Sequence, residues 1–182
     1  MSRGPGRIER AIEAAFDAEP DNAFNIEDLC ERVYHGLNRV EKKHRVAVLR
    51  AMRAVVRRRP DLDCMIGEGL GRPVVYYNPF NVMSYAMARL KTDYLRRYRN
   101  NDKRSRWPNT TEVELLARLA EGGKEHHCVV EGGTWWRHAQ ERIAHRDGDT
   151  VRAAALAEQG EKELQAIAQQ LTALGSTIRP VK

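Results

Sequence analysis

Apolar residues recur at helical spacing near the start of the chain. Ile8, Ala11, Ile12, Ala15 and Phe16 share one face of a helix predicted over Arg7 to Ala18, and Glu19-Pro20-Asp21-Asn22 ends it. Ala23-Phe24-Asn25 is too short for an independent strand but can pair with one. Asn25 is suited to cap a second helix through Ile26, Leu29, Cys30 and Val33, with Asp28 at the third helical position. His35-Gly36-Leu37-Asn38 breaks that helix, and a third is predicted from about Val40 to Arg58, ending before Pro60.

After Asp61 the period shortens toward two. Leu62, Cys64 and Ile66 alternate with Asp63 and Met65, which places Cys64 in a core element. Gly67-Glu68-Gly69-Leu70-Gly71-Arg72-Pro73 follows, then Val74-Val75-Tyr76-Tyr77-Asn78, rich in β-branched and aromatic residues. The pattern is a β-hairpin with a long glycine-rich tip, closed by Pro79.

From Val82 to about Arg99 the spacing is helical again, with Tyr85, Ala86, Leu90, Tyr94 and Leu95 available for packing. The polar, basic run Arg96 to Arg106 before Trp107-Pro108 marks the linker. Beyond it, Asn109-Thr110-Thr111 can cap a helix through Val113, Leu115, Leu116 and Leu119. Glu125 to Gly133 reads as non-helical, and Trp135 to about His145 as a helix. A turn at Arg146-Asp147-Gly148-Asp149 leads into a long Ala- and Gln-rich helix from Thr150 to about Leu174. Leu164, Ile167, Leu171 and Leu174 follow a coiled-coil spacing, but over too few heptads to predict one.

Composition adds compartment and partner. The 182 residues are 42% hydrophobic and 31% charged, enough to bury a core. No apolar run is long enough to cross a bilayer, and Met1 to Arg10 lacks the apolar stretch of a signal peptide, so a cytoplasmic protein without membrane contact is expected. Three widely spaced cysteines, Cys30, Cys64 and Cys128, suit reduced thiols.

The net charge of +6 is unevenly placed. Residues 1–105 hold 21 Lys/Arg against 14 Asp/Glu, and residues 106–182 hold 10 against 11. Residues 39–59 alone carry nine basic side chains and one acid, Glu41. A solvated helix face usually interleaves both signs, so this concentration points to a polyanion, most commonly nucleic acid. On the third predicted helix Val48, Leu49, Met52, Val55 and Val56 fall in a sector of about 120°, with Lys42, Lys43, Arg50, Arg53 and Arg57 in an adjacent one of about 100°.

In element order, size and the Gly67–Arg72 loop before Val74-Val75-Tyr76-Tyr77-Asn78, residues 7 to about 80 resemble the winged-helix (winged helix-turn-helix) superfamily. The resemblance covers a little under half the chain and carries no catalytic motif. It implies a DNA-binding domain with a small β-hairpin over residues 1–81; the residue pattern adds a basic connecting helix and linker over 82–106 and a helical extension over 107–182, for a mainly α fold.

The chemistry of the pieces agrees. A helix fits the major groove, where base edges are distinguishable, and its first turns bring Arg39, Lys42, Lys43, His44 and Arg45 toward bases. Arg50, Arg53 and Arg57 lie where phosphates would be met. In the superfamily the hairpin loop is a wing that lies along the DNA backbone or enters the minor groove. There Arg72 supplies charge, and Gly67, Gly69 and Gly71 allow close approach.

Duller roles compete. Arg57-Arg58-Arg59 also suit a helix C-terminus through the macrodipole. Tyr94, Tyr98 and Trp107 among the basics of residues 89–106 suit stacking on single strands, or packing beneath arginine stems. Glu125-His126-His127-Cys128 lacks the spacing of a zinc site, so no metal is expected. Gly132-Gly133-Thr134 suits an anion or, more simply, a helix cap by Thr134. No nucleophile, phosphate-binding loop or spaced carboxylate set is present, so no enzymatic activity and no cofactor are expected.

The leading expectation is sequence-specific binding of double-stranded DNA in transcription regulation, with a homodimer formed through the C-terminal helices to read paired half-sites. Alternatives are a replication, partition or mobile-element DNA-binding factor, and a winged-helix protein-assembly module.

Overall fold

The computed structural model describes residues 5–36, 39–67, 74–99, 112–122 and 125–173. Helices α1 (Arg7–Ala18), α2 (Ile26–Val33) and α3 (Lys42–Arg58) precede strands β1 (Asp63–Ile66) and β2 (Val74–Tyr77). Helices α4 (Val82–Arg99), α5 (Glu112–Glu121), α6 (His126–Val129), α7 (Thr134–Arg146) and α8 (Thr150–Ala173) follow. The fold is mainly α with a small antiparallel hairpin, as the periodicity predicts. No helix among the described residues is long and apolar enough to cross a membrane.

Local chemistry sets the early boundaries. Asn25 and Asp28 form a capping box: the Asp28 amide donates to Asn25 Oδ1 at 2.9 Å and the Asn25 amide to Asp28 Oδ2 at 3.0 Å. Two helical donors that would otherwise lack partners are thereby satisfied. The chain leaves α2 through Gly36 at φ +82°, a conformation that costs glycine little.

Helices α1, α2 and α3 pack around Ile12, Phe16, Phe24, Leu29, Val48, Met52 and Val55. Phe24 is fully buried and meets Phe16 edge-on at 4.9 Å between ring centroids. Its backbone exchanges two hydrogen bonds with Tyr76, each 2.8 Å, so the short segment before α2 becomes a third rung beside the hairpin.

The hairpin pairs Asp63 with Tyr77, Cys64 with Tyr76, Met65 with Val75 and Ile66 with Val74. Directly paired residues share a face. Tyr76 and Val74 serve the first core, while Val75, Tyr77 and Met65 serve a second. This corrects the placement of Cys64, which is exposed, as is Ile66 at 58%. Leu62 is buried against the first core, which does not extend over these two residues. Both faces of the sheet are used, so strict apolar-in alternation fails on β1.

The second core explains α4. Tyr85, Ala86, Met87, Ala88 and Leu90 are all buried, which requires neighbours on several sides. They meet Val75 and Tyr77 of β2, Leu115 and Leu119 of α5, and Val129 of α6. The first turns of the proposed connecting helix are thus central to a core; side chains from residue 93 to 112 lie outside the described residues.

A polar seam joins the two cores. Ser84, fully buried, donates to the Asn22 carbonyl at 2.7 Å and accepts from the Asn78 amide at 2.9 Å. Lys91 donates to Asp28 Oδ2 at 2.9 Å and to the Ala23 carbonyl, so a residue of the second basic stretch is committed to structure.

Residues 126–129 are helical, in place of the non-helical reading of Glu125–Gly133. The N-cap of α7 is Gly133, without a side-chain cap bond, and Thr134 is the first helical residue instead of the cap. A Cβ on Gly133 would lie 2.3 Å from the His127 carbonyl oxygen and 2.6 Å from that of Cys128. Glycine is required there, and carbonyl oxygens rather than space face the start of α7, which disfavours an anion.

Candidate nucleic-acid interface

Helix α3 is held by one face and leaves another open. Val48, Ala51, Met52 and Val55 are buried in the first core. Arg39, Lys42, Lys43, Arg50, Arg53 and Arg57 are all exposed. Of these, Lys42, Lys43, Arg50, Arg53 and Arg57 share the open sector, and Lys42 to Arg57 covers about 22 Å of helix at 1.5 Å per residue.

The nine basic residues of 39–59 divide by partner. Arg58 bridges Glu9 at 2.6 Å and Glu13 at 2.9 Å on α1. Arg59 joins Asp17 at 2.7 Å and Asp61 at 2.6 Å, and its hydrogen bonds hold the Asp61 carboxyl below the usual carboxylate range. These two arginines tie α3 to α1 and to the following turn. Lys43 meets Glu41 at 3.0 Å, and Arg45 turns toward α2, 3.8 Å from Glu27. Among the described residues Arg39, Lys42, Arg50, Arg53 and Arg57 make no ion pair.

His44 takes a structural position. The Glu41 amide donates to its Nδ1 at 3.2 Å, and its ring lies tilted against Tyr34 at 4.6 Å. The imidazole therefore caps α3 and packs against the end of α2. Of the five residues expected near bases, the structure leaves Arg39, Lys42 and Lys43 on open surface, turns Arg45 aside and half-buries His44.

Two residues join the surface that the charge pattern did not single out. Val46 is 37% exposed within the basic sector, an apolar contact suited to a thymine methyl or a sugar. Arg7, at the start of α1, borders an open groove of about 490 Å³ together with Arg50. The helical wheel places Val46 there, but only packing shows it left uncovered; Arg7 is on another element. Of the hairpin tip, Gly67 is described, while Gly69, Gly71 and Arg72 lie outside the described residues.

Elsewhere the chemistry is structural. His126 Nδ1 lies 2.9 Å from the Leu119 carbonyl oxygen, and no three His, Cys, Asp or Glu side chains among the described residues converge as metal ligands. Burial raises the thiols of Cys30 and Cys128 above the ordinary value, and partial desolvation beside Asp63 does the same for the exposed Cys64, which leaves all three less nucleophilic at neutral pH.

The class of protein that fold and surface define is a mainly helical one with a small antiparallel hairpin, in an element order compatible with a winged helix. The chain matches no protein-family model, no curated protein and no solved structure.

Proposed function

We propose that residues 7 to about 80 form a winged-helix domain that binds double-stranded DNA, and that the protein is a sequence-specific DNA-binding transcription regulator without enzymatic activity. The observation that carries this reading is the open face of α3, where Lys42, Arg50, Arg53 and Arg57 are exposed without ion-pair partners among the described residues. Arg58 and Arg59 find carboxylate partners within the fold, whereas the four on the open face find none among the described residues. A duplex with one charge per ~1.7 Å of axis gives them partners by releasing counterions. In this reading Lys42 and Lys43 enter the major groove with Val46 between them, Arg53, Arg57 and Arg50 meet phosphates, and Arg7 extends the backbone contact from α1.

The test is selection from a random duplex pool, followed by titration of the enriched site at several salt concentrations. One enriched sequence and a slope of log affinity against log salt of about −4 to −5 are expected for five phosphate contacts. Reversal of Lys42, Arg50 and Arg53 to Glu should weaken binding at least ~100-fold with little change in unfolding midpoint. Binding unaffected by the reversal, or independent of salt, would sink the reading. Enrichment of repeated sites from a replication origin would replace regulation with replication, and capture of a protein partner without any DNA binding would point to assembly.

A further inference from the structure

Helix α8 leaves the body of the molecule partway along its length. Ala153 is buried, but every residue from Glu161 to Gln170 is exposed. Between its middle and α7 lies a groove of about 320 Å³, within the range of small-molecule sites. Its apolar wall is Leu156, Leu164 and Ile167; its polar residues include Arg137, Glu141, Glu161 and Glu163.

Arg137 is the unusual member. It is 5% exposed, and its Nη2 donates to Glu163 Oε2 at 2.6 Å. Its Nε is buried without a hydrogen-bond partner. Gly160 makes the room: a Cβ at that position would lie 3.3 Å from Arg137 Nη1. A glycine inside a helix costs about 1 kcal/mol relative to alanine, and here it lets a guanidinium pack against the helix backbone. Arg137 lines the groove, and only its Nη2 is bonded, so Nη1 is left as a donor that an acceptor would satisfy.

The remaining charge is negative. Glu163 neutralises Arg137, while Glu141 and Glu161 have no lysine or arginine partner among the described residues. Among the described residues Glu141 pairs with His138 at 3.8 Å and His145 at 3.9 Å, and partial desolvation, helped by Arg137, Arg89 and Arg142 nearby, lowers the His138 pKa and favours the neutral ring. The groove therefore attracts a cation and repels a carboxylate, in a protein whose overall charge is +6.

We propose that the α7–α8 groove binds a small organic amine with an apolar body and a neutral hydrogen-bond acceptor beside the amine, the pattern of an apolar α-amino amide. The ammonium lies at Glu141 and Glu161, the acceptor takes a free donor of Arg137, and the body covers Leu156, Leu164 and Ile167. The site is independent of the DNA reading, and its test contains no DNA.

Leucinamide is the probe, titrated into the full-length protein by calorimetry and nuclear magnetic resonance. Isocaproamide, which lacks the amine, and isoamylamine, which lacks the amide, are its matched controls. Leucinamide should bind in the millimolar range expected of so small a ligand, about tenfold more tightly than either control, and shift the resonances of His138 and Gly160. The conservative variant Glu141→Gln/Glu161→Gln should weaken it about tenfold while keeping the fold. Absence of saturable binding, equal binding of the three probes, or unchanged affinity in the double variant would overturn the proposal. So would self-association of the protein that Leu164→Asp dissolves, because a second copy would then be the occupant.

Discussion

Helices α3 and α8 each leave a long face uncovered, yet the open faces differ in kind. On α3 the uncovered residues are basic, and the adjacent sector is locked into a core. On α8 the uncovered stretch carries both signs, Glu158 and Lys162 paired at 2.7 Å among them, with Leu164 and Ile167 exposed. A face of one sign held rigidly is suited to an extended polyanion, which needs several charges in fixed register. A mixed face with apolar positions gives no such register and suits a small contact. Exposure alone therefore says little; the composition of the exposed face and the rigidity behind it separate the two.

The largest expected effect breaks the support behind α3. Phe24→Ala should cost about 3–5 kcal/mol in a urea unfolding titration, because the ring is fully buried, meets Phe16, and lies beneath the Arg32 guanidinium at 4.4 Å. A loss below about 1 kcal/mol would mean that the core does not hold α3 as described.

Within α3 a pair of variants sharpens the division of its arginines. Arg58→Gln removes contacts to Glu9 and Glu13 and should lower the unfolding midpoint slightly, with DNA affinity nearly intact. Arg53→Gln should do the reverse, weakening DNA severalfold and leaving the unfolding midpoint in place. Equal effects of both on DNA affinity would erase the distinction between structural and surface arginines.

Titration probes the α8 side. His138, though half exposed, has a pKa lowered from its ordinary 6.5 chiefly by partial desolvation, so the folded state binds its proton less readily than the unfolded chain. Its contribution to stability is full above 6.5 and falls as pH drops from 6.5 toward the lowered value. The midpoint should therefore decline over that window, and His138→Gln should flatten the decline. Further into acid, Glu19, held low by its hydrogen bond from Arg32, loses its contribution as pH falls below its ordinary 4.5.

The smallest effect belongs to the exposed end of α8. Leu164→Ala should change stability by less than about 0.5 kcal/mol, since the side chain is 69% exposed. A loss of several kcal/mol would show that the leucine is covered in solution.

Much of this contrast was legible in the chain. Period, caps and breakers located α1 over Arg7–Ala18, the Asn25 cap of α2, the hairpin after Asp61, and the pairing of the short segment at Phe24. These features depend on neighbours within a few residues. The burial of Met87 and Ala88, the exposure of Cys64 and Ile66, and the helical turn at His126–Val129 were not legible. Each depends on what arrives from a distant part of the sequence to cover a face.

The order of elements and the excess of basic residues on the third helix follow from periodicity and charge, which are written locally in the chain. Tertiary structure decided which of those charges are left over. Arg58 and Arg59 find carboxylates on α1 and in the next turn, Arg45 approaches α2, and His44 becomes a cap, while Lys42, Arg50, Arg53 and Arg57 remain on open surface. An ion pair between residues forty apart forms only when packing brings its helices together, so the charge count alone could not separate structural arginines from the proposed interface.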